Sequence, residues 1–308
     1  MSKSVKQVRI GTRRSSLARA QAEIVAGAMR KTDPSMETRL VTIDTKGDRR
    51  GGSLSHVGGK GLFTAELESA LRDGSLDIAV HSAKDMPVAM DEDLVIAAVP
   101  KRDDPADVLF SKCGSLDDLP GKASVGTCSP RRAVQLRAVR EDLNIVSVRG
   151  NIETRMEKVS GSKTDLDAVV LAAAGLRRSG LYEENQRRIY PLGIDVMLPA
   201  AGQGTLAVQS LAASDGLSEI LKAVNDSDSA DSLFAERRVV KALGADCGSA
   251  VAVYVRRMAY ESWFASAMVS RSDGGGMMLA DAGGSTADDA AELLITQLLK
   301  SGADKLLI

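Results

Sequence analysis

The stretch Asp77-Ile78-Ala79-Val80-His81-Ser82-Ala83-Lys84-Asp85-Met86-Pro87 decides how the chain is read. The apolar run Ile78–Val80 has the length and composition of a buried strand. It ends in a polar cluster, and Pro87 stops any regular continuation. Open α/β sheets bind ligands just beyond the carboxyl ends of their strands, which places His81, Ser82, Lys84 and Asp85 where chemistry is built. A carboxylate beside an ammonium in such a crevice is a candidate acid/base or cation-stabilising group. Strand ends also carry charges that only face water, so the stretch takes its meaning from its surroundings.

Upstream, Val8–Ile10 predicts a strand, followed by Gly11-Thr12-Arg13-Arg14-Ser15-Ser16 and an amphipathic helix from Leu17 to about Met29. Ser15 or Ser16 caps that helix and leaves N–H groups facing the loop. Leu40–Ile43 predicts a second strand, and the glycine-rich segment 49–61 a mobile connection. A helix from Leu62 to Arg72 follows, with Leu62, Phe63, Leu67, Ala70 and Leu71 as its apolar side. This strand–helix alternation predicts an α/β sheet.

A boundary falls near Pro100–Pro105, and a second α/β unit opens. Ser124–Gly126 is a short strand, and Ser129-Pro130 is a strong helix start, serine at the cap and proline at the first helical position. Arg131 and Arg132 occupy that first turn, where the helix dipole disfavours positive charge unless an anion joins them. Further strands are expected at Val146–Val148 and Ala168–Ala173, ending in Arg149-Gly150-Asn151 and Ala174-Gly175-Leu176-Arg177-Arg178. Leu198-Pro199-Ala200-Ala201-Gly202-Gln203-Gly204 reads as a return crossing into the apolar run Leu206–Val208. The remainder predicts a small α+β domain. It has helices at 230–243 and 287–299, strands at 250–255, 262–269 and 277–280, and Cys247 in a loop after the first helix.

At 308 residues the chain is long enough for two or three domains. A formal net charge of −1 argues against a general nucleic-acid or membrane-surface binder. The three cysteines are widely spaced and there are only two histidines, so neither a disulfide framework nor a structural zinc site is indicated. Met-Ser-Lys-Ser-Val-Lys at the start lacks an apolar signal core, and a cytoplasmic location is expected.

Residues 131–155 hold six arginines and no lysine. The planar guanidinium fork suits carboxylates and phosphates. Any one of these arginines, taken alone, reads as part of a solvated helix face. Taken with Arg13, Ser15, Ser129 and Arg178 at strand ends and helix starts, they predict an acidic-ligand cleft at a domain interface. Cys247 leaves two readings open. A free cysteine is ordinarily a small buried hydrophobe, whereas a glycine-flanked loop suits a nucleophile or an attachment point. Asp246 beside it raises a thiol pKa and does not favour the thiolate.

Several motifs occur in order: Arg13-Arg14-Ser15-Ser16-Leu17-Ala18-Arg19-Ala20-Gln21, Thr45-Lys46-Gly47-Asp48, Gly58-Gly59-Lys60-Gly61-Leu62-Phe63 and Ala79-Val80-His81-Ser82-Ala83-Lys84-Asp85. Gly126-Thr127-Cys128-Ser129-Pro130-Arg131-Arg132, Val148-Arg149-Gly150-Asn151 and Leu198-Pro199-Ala200-Ala201-Gly202-Gln203-Gly204 follow. From about residue 8 to 255 the chain closely resembles the porphobilinogen deaminases, also called hydroxymethylbilane synthases.

The resemblance implies head-to-tail condensation of four porphobilinogen molecules into the linear tetrapyrrole hydroxymethylbilane, with loss of ammonia. The reaction is primed on a dipyrromethane cofactor held by a thioether, and Cys247 matches the attachment cysteine. Asp85 matches the catalytic carboxylate, with Lys84 pairing to substrate or cofactor carboxylates. Ser129, Arg131, Arg132 and Lys60 match cofactor-binding positions. Arg13, Ser15, Gln21, Phe63, Arg149, Arg155 and Arg178 match positions that hold the acetate and propionate groups of the pyrroles, and Asp48 also faces the cleft. Segment 49–61 resembles a lid. No metal is implied.

The implied fold is α/β, with two lobes like those of periplasmic solute-binding proteins, built on mixed sheets, plus a small α+β C-terminal domain. The implied domains are 1–101 with 203–220, 105–198, and 222–308. A monomer is implied, passing its product to a tetrapyrrole-cyclising enzyme, with no nucleic-acid or membrane partner. The chain departs from the family at His56, where many relatives have lysine, and at Cys128 and Pro130, which replace serine and leucine. Two rival readings carry less of the sequence. An anionic-solute receptor has no use for Cys247, and a cysteine acyl transferase lacks a third partner for His56 or His81.

Overall fold

Alternation of Val8 and Ile10 with polar neighbours turns one face of β1 (Gln7–Arg13) inward. The computed structural model describes residues 7–45, 64–160, 166–213, 215–246 and 248–307. β1 runs through the expected loop to Arg13, and Ser15 caps α1 (Ser16–Thr32) by accepting from the Ala18 N–H at 3.2 Å. Ala22, Val25, Ala26 and Met29 recur at helical spacing as its buried stripe, and Arg30 and Lys31 complement the dipole at its end. β2 (Glu37–Ile43) follows, then α2 (Ala65–Arg72), β3 (Ile78–Ser82), a 3-10 turn over Ala83–Asp85, and β4 (Leu94–Ala98).

The chain then continues through β5 (Asp107–Ser111), β6 (Ser124–Gly126), α3 (Pro130–Val139), β7 (Asn144–Val146) and α4 (Ile152–Ser160). β8 (Ala168–Ala172), α5 (Ala173–Arg178), α6 (Leu181–Glu184) and β9 (Ile189–Leu192) complete this part. β10 (Leu206–Leu211), α7 (Ser218–Val224) and α8 (Ser227–Ala242) come next. The C-terminal part is a meander of β11 (Ala250–Arg257), β12 (Trp263–Ser270) and β13 (Met278–Gly284), closed by α9 (Ala287–Lys300).

Two five-stranded mixed sheets share one plan. In the first the order is β2-β1-β3-β10-β4, with β1 parallel to both β2 and β3, and β10 antiparallel between β3 and β4. In the second the order is β7-β6-β8-β5-β9, with β6 parallel to β7 and β8, and β5 antiparallel between β8 and β9. The antiparallel strand is, in each, the one the chain forms directly after leaving the other sheet. A smaller three-stranded antiparallel sheet has the order β11-β12-β13.

The first sheet is covered on one face by α1 and α7 and on the other by Leu67, Ala70 and Leu71 of α2. The second buries Met156 and Leu176 on one face and Leu136 of α3 on the other. Both arrangements are the two-faced burial expected of parallel strands.

The chain divides into two compact units, Met1–Asp103 with Thr205–Leu233, and Asp104–Gly204 with Phe234–Ile308. The C-terminal segment keeps its own core of Val253, Val255, Trp263, Leu294 and Leu298. Within the second unit, a further cluster joins Val134 of α3 and Leu198 to Ala250, Ala252 and Met268. The strand expected at 146–148 lies two residues earlier, and Val148 is buried as a loop residue after it.

Candidate active site

β1 and β3 are parallel neighbours, so their carboxyl ends lie at the same edge of the first sheet. Arg13 ends β1 half-buried, and Ser15 Oγ accepts at the α1 cap, which leaves its hydroxyl proton to donate. One turn further, buried Gln21 donates from Nε2 to Ser82 Oγ at 2.9 Å, and Ser82 Oγ lies 3.2 Å from Gln21 Oε1. The Ala83 N–H donates to the Thr205 carbonyl at 3.0 Å. The turn that carries Lys84 and Asp85 is thereby pinned from α1 on one side and from the residue leading into β10 on the other. Lys84 is half-buried and Asp85 is exposed, presenting its carboxylate to solvent beyond the strand end.

His81, expected among the strand-end groups, is instead a core residue at 6 % exposure, facing Gln209 of β10. Gln209 donates its amide to Glu68 Oε1 at 3.3 Å, so its carbonyl oxygen faces His81 Nε2 at 3.0 Å, and that nitrogen carries the proton. Burial, with a smaller push from Arg13 and against the Gln209 hydrogen bond, lowers the imidazole from 6.5 to about 4. A neutral histidine with its proton committed to Gln209 supports the strand and takes no part in acid/base chemistry near neutrality.

In the second unit the start of α3 forms as expected. Pro130 stands at the first helical position and Ser129 Oγ accepts from the Arg132 N–H at 3.5 Å. Arg131 and Arg132 are not on a solvated face, being only 4 % and 6 % exposed. Both clasp Asp107, the first residue of β5, which is 0 % exposed. Arg131 Nη2 lies 2.7 Å from Asp107 Oδ2, and Arg132 Nη2 lies 2.6 Å from Oδ1. Each also reaches a backbone oxygen, Arg131 Nη1 to Leu198 at 2.6 Å and Arg132 Nη1 to Val170 at 2.9 Å. Burial pulls the Arg131 guanidinium down from its ordinary range, with Asp107 opposing.

The other predicted arginines divide. Arg178 donates to the Gly204 carbonyl, so Arg131 and Arg178 both grip the 198–204 segment, and Gln203 within it donates to Asp107 Oδ1 at 3.0 Å. Arg149 is exposed after β7. Gly150 next to it has φ 117°, the left-handed region where only glycine is unstrained. Asn151 Oδ1 accepts from Thr154 N at 2.8 Å to start α4, and Arg155 Nε donates back to the Gly150 carbonyl at 2.8 Å. Asp107, Gln203 and Gln209 are participants that sequence reasoning missed. The apolar run Val108–Phe110 behind Asp107 was the available signal for a strand head there.

Cys247, Lys60, Phe63, Asp48, His56 and the 49–61 segment lie outside the described residues. Beside Cys247, the Asp246 carboxylate accepts from Gly248 N and Ser249 Oγ, each at 2.9 Å, so it is engaged within its own turn. Among the described residues no helix is long and apolar enough to cross a membrane.

Residues 8–219 match the family described as "Porphobilinogen deaminase, dipyromethane cofactor binding domain". The chain is 42% identical over 305 residues to a porphobilinogen deaminase of Moorella thermoacetica, covering 98% of this chain and 96% of the relative. It is 43% identical over 257 residues to one from Natranaerobius thermophilus, covering 83% and 81%. To one from Syntrophotalea carbinolica it is 40% identical over 304 residues, covering 97% and 95%.

Proposed function

The chain belongs to the porphobilinogen deaminase family, and from that premise we propose which of its residues perform each part of the reaction. The activity is that of a hydroxymethylbilane synthase, a transferase of tetrapyrrole (haem) biosynthesis that joins four porphobilinogen molecules and releases ammonia, and it binds a dipyrromethane cofactor.

Asp85 is the catalytic carboxylate. Departure of ammonia leaves a cation on the substrate pyrrole, and a fixed carboxylate beside the ring N–H stabilises that charge. The same oxygen takes and returns the protons of amine departure and of rearomatisation. Lys84, beside it, pairs with pyrrole carboxylates. Arg13, Ser15, Gln21, Phe63, Arg149, Arg155 and Arg178 hold the acetate and propionate groups of substrate. The observation that carries this assignment is the Lys84–Asp85 turn, pinned at the carboxyl end of β3 by Gln21 and Thr205, with its carboxylate exposed.

A dipyrromethane carries an acetate and a propionate on each ring, and the residues present fit such a polyanion. Two guanidiniums against one Asp107 carboxylate leave a positive charge at the start of α3, whose dipole also favours an anion. We assign Arg131, Arg132, Ser129, Lys60, Lys84 and Asp85 to cofactor binding and Cys247 to its thioether. When bound, the group supplies the nucleophilic pyrrole carbon to which substrate is joined. We further propose three domains, 1–101 with 203–220, 105–198 and 222–308. The protein acts as a cytoplasmic monomer whose product passes to a tetrapyrrole-cyclising enzyme.

Replacing Asp85 with Asn removes the charge and keeps the shape. Ammonia release from porphobilinogen is expected to fall by roughly 10²- to 10³-fold, with Asp85→Glu retaining more activity. An Asp85→Asn rate within a few-fold of wild type would remove Asp85 from the chemistry.

A further inference from the structure

Arginine at the first turn of a helix runs against the helix dipole, and a buried guanidinium without a partner is costly. Arg131 and Arg132 break the first rule side by side at the start of α3, and Asp107 keeps them from breaking the second. Its carboxylate is wholly buried and binds each guanidinium through a different oxygen. Arg132 adds a second contact from Nε to Oδ1 at 3.1 Å, and Gln203 donates to the same oxygen. Leu198 closes the network by accepting from Arg131 and from Gln135 Nε2 at 3.1 Å, while its own N–H donates to Gln135 Oε1 at 2.8 Å. Each member of this network belongs to the second unit.

We propose that Asp107 is a positioning residue for the cofactor, holding the Arg131 and Arg132 guanidiniums in place with one positive charge left over, which a single cofactor carboxylate neutralises. The proposal rests on the assignment of those two arginines to the cofactor. Two arginines alone would place an uncompensated double charge in the protein interior. Fully neutralised arginines would give an acidic ligand little attraction. One carboxylate between the two guanidiniums keeps the pair folded and oriented before the cofactor arrives and leaves a charge to receive it.

Asp107 therefore matters more to the cofactor-free protein than to the loaded one. Loss of the buried carboxylate leaves both guanidiniums exposed to each other's repulsion, and the bound cofactor's carboxylate then takes over part of the compensation. The test is a melting-temperature comparison of Asp107→Asn and Asp107 proteins, each with Cys247 present and as Cys247→Ser, with loading read from the denatured intact mass. In the Cys247→Ser background, Asp107→Asn is expected to lower the melting temperature by roughly 10 °C. In the loaded protein the drop is expected to be less than half as large. Equal drops in the two backgrounds would reduce Asp107 to a packing residue and overturn the proposal.

Should Asp107→Asn fail to fold without cofactor, the double variant Asp107→Asn with Arg132→Gln restores a single positive charge. It is expected to yield more folded cofactor-free protein than Asp107→Asn alone, and a lower yield overturns the charge argument. A wild-type mass without an adduct is a different failure. It removes the anchoring assignment, and the proposal with it, before any melting comparison is made.

Discussion

His81 offers the sharpest thermodynamic test of the site's architecture. Its imidazole titrates near 6.5 in an unfolded chain and at about 4 in the folded one, because burial beneath the strand end disfavours the charged ring. The unfolded state therefore binds the extra proton between those two values, and stability falls as pH drops through that window. Above about pH 6.5 the histidine contributes no slope, and below about pH 4 its contribution is fully lost. At about 1.4 kcal/mol per pH unit, the interval corresponds to roughly 3 kcal/mol. His81→Gln keeps an amide that can donate to Gln209 but cannot titrate. Urea denaturation of both proteins at pH 7, 6, 5 and 4 isolates the effect, since the carboxylates are common to the two. Wild type is expected to lose about 3 kcal/mol more than the variant between pH 7 and pH 4. Parallel stability curves would refute the reasoning and return His81 to the list of groups that titrate in the site.

Two further substitutions test the scaffold. A Cβ at Gly284 would lie 2.5 Å from the Ala290 nitrogen and 3.0 Å from its Cα, backbone that cannot swing aside, so Gly284→Ala is expected to cost about 1–3 kcal/mol in denaturation experiments. A cost near zero would mean that β13 and α9 are not in close backbone contact at this position. Gln21→Leu leaves the Ser82 hydroxyl without its partner and is expected to cost about 1–2 kcal/mol. Adding Ser82→Ala should recover part of that loss, and strict additivity would show that the pair does not interact.

Strands at the parallel centres of both sheets were legible from their apolar runs, and the helix starts at Ser15 and Ser129-Pro130 from side-chain chemistry alone. β4, β5 and β9 were not. β5 is five residues headed by an aspartate, which reads as a boundary, and its burial comes from insertion between β8 and β9. β9 contains Pro191, which argues against a strand until its place at the sheet edge is known. The same insertion hides the role of Asp107 from the sequence, since the antiparallel pairing of β5 with β8 is what brings it to residues 131 and 132. The arginine cluster is visible in the sequence, but whether each member meets water, backbone or carboxylate depends on tertiary structure. Arg149 is exposed, whereas Arg131 and Arg132 are buried. His81 looked chemical because it follows the strand core, and alternation of the pleat turned it inward toward Gln209.

The proposed thioether between the dipyrromethane cofactor and Cys247 is open to direct measurement. The most direct measurement is the denatured intact mass of the purified protein beside its Cys247→Ser variant. A wild-type mass increased by two porphobilinogen-derived units is expected, surviving denaturation and absent from the variant. An unmodified wild-type mass that persists after incubation with porphobilinogen, or an adduct that remains in Cys247→Ser, would contradict it.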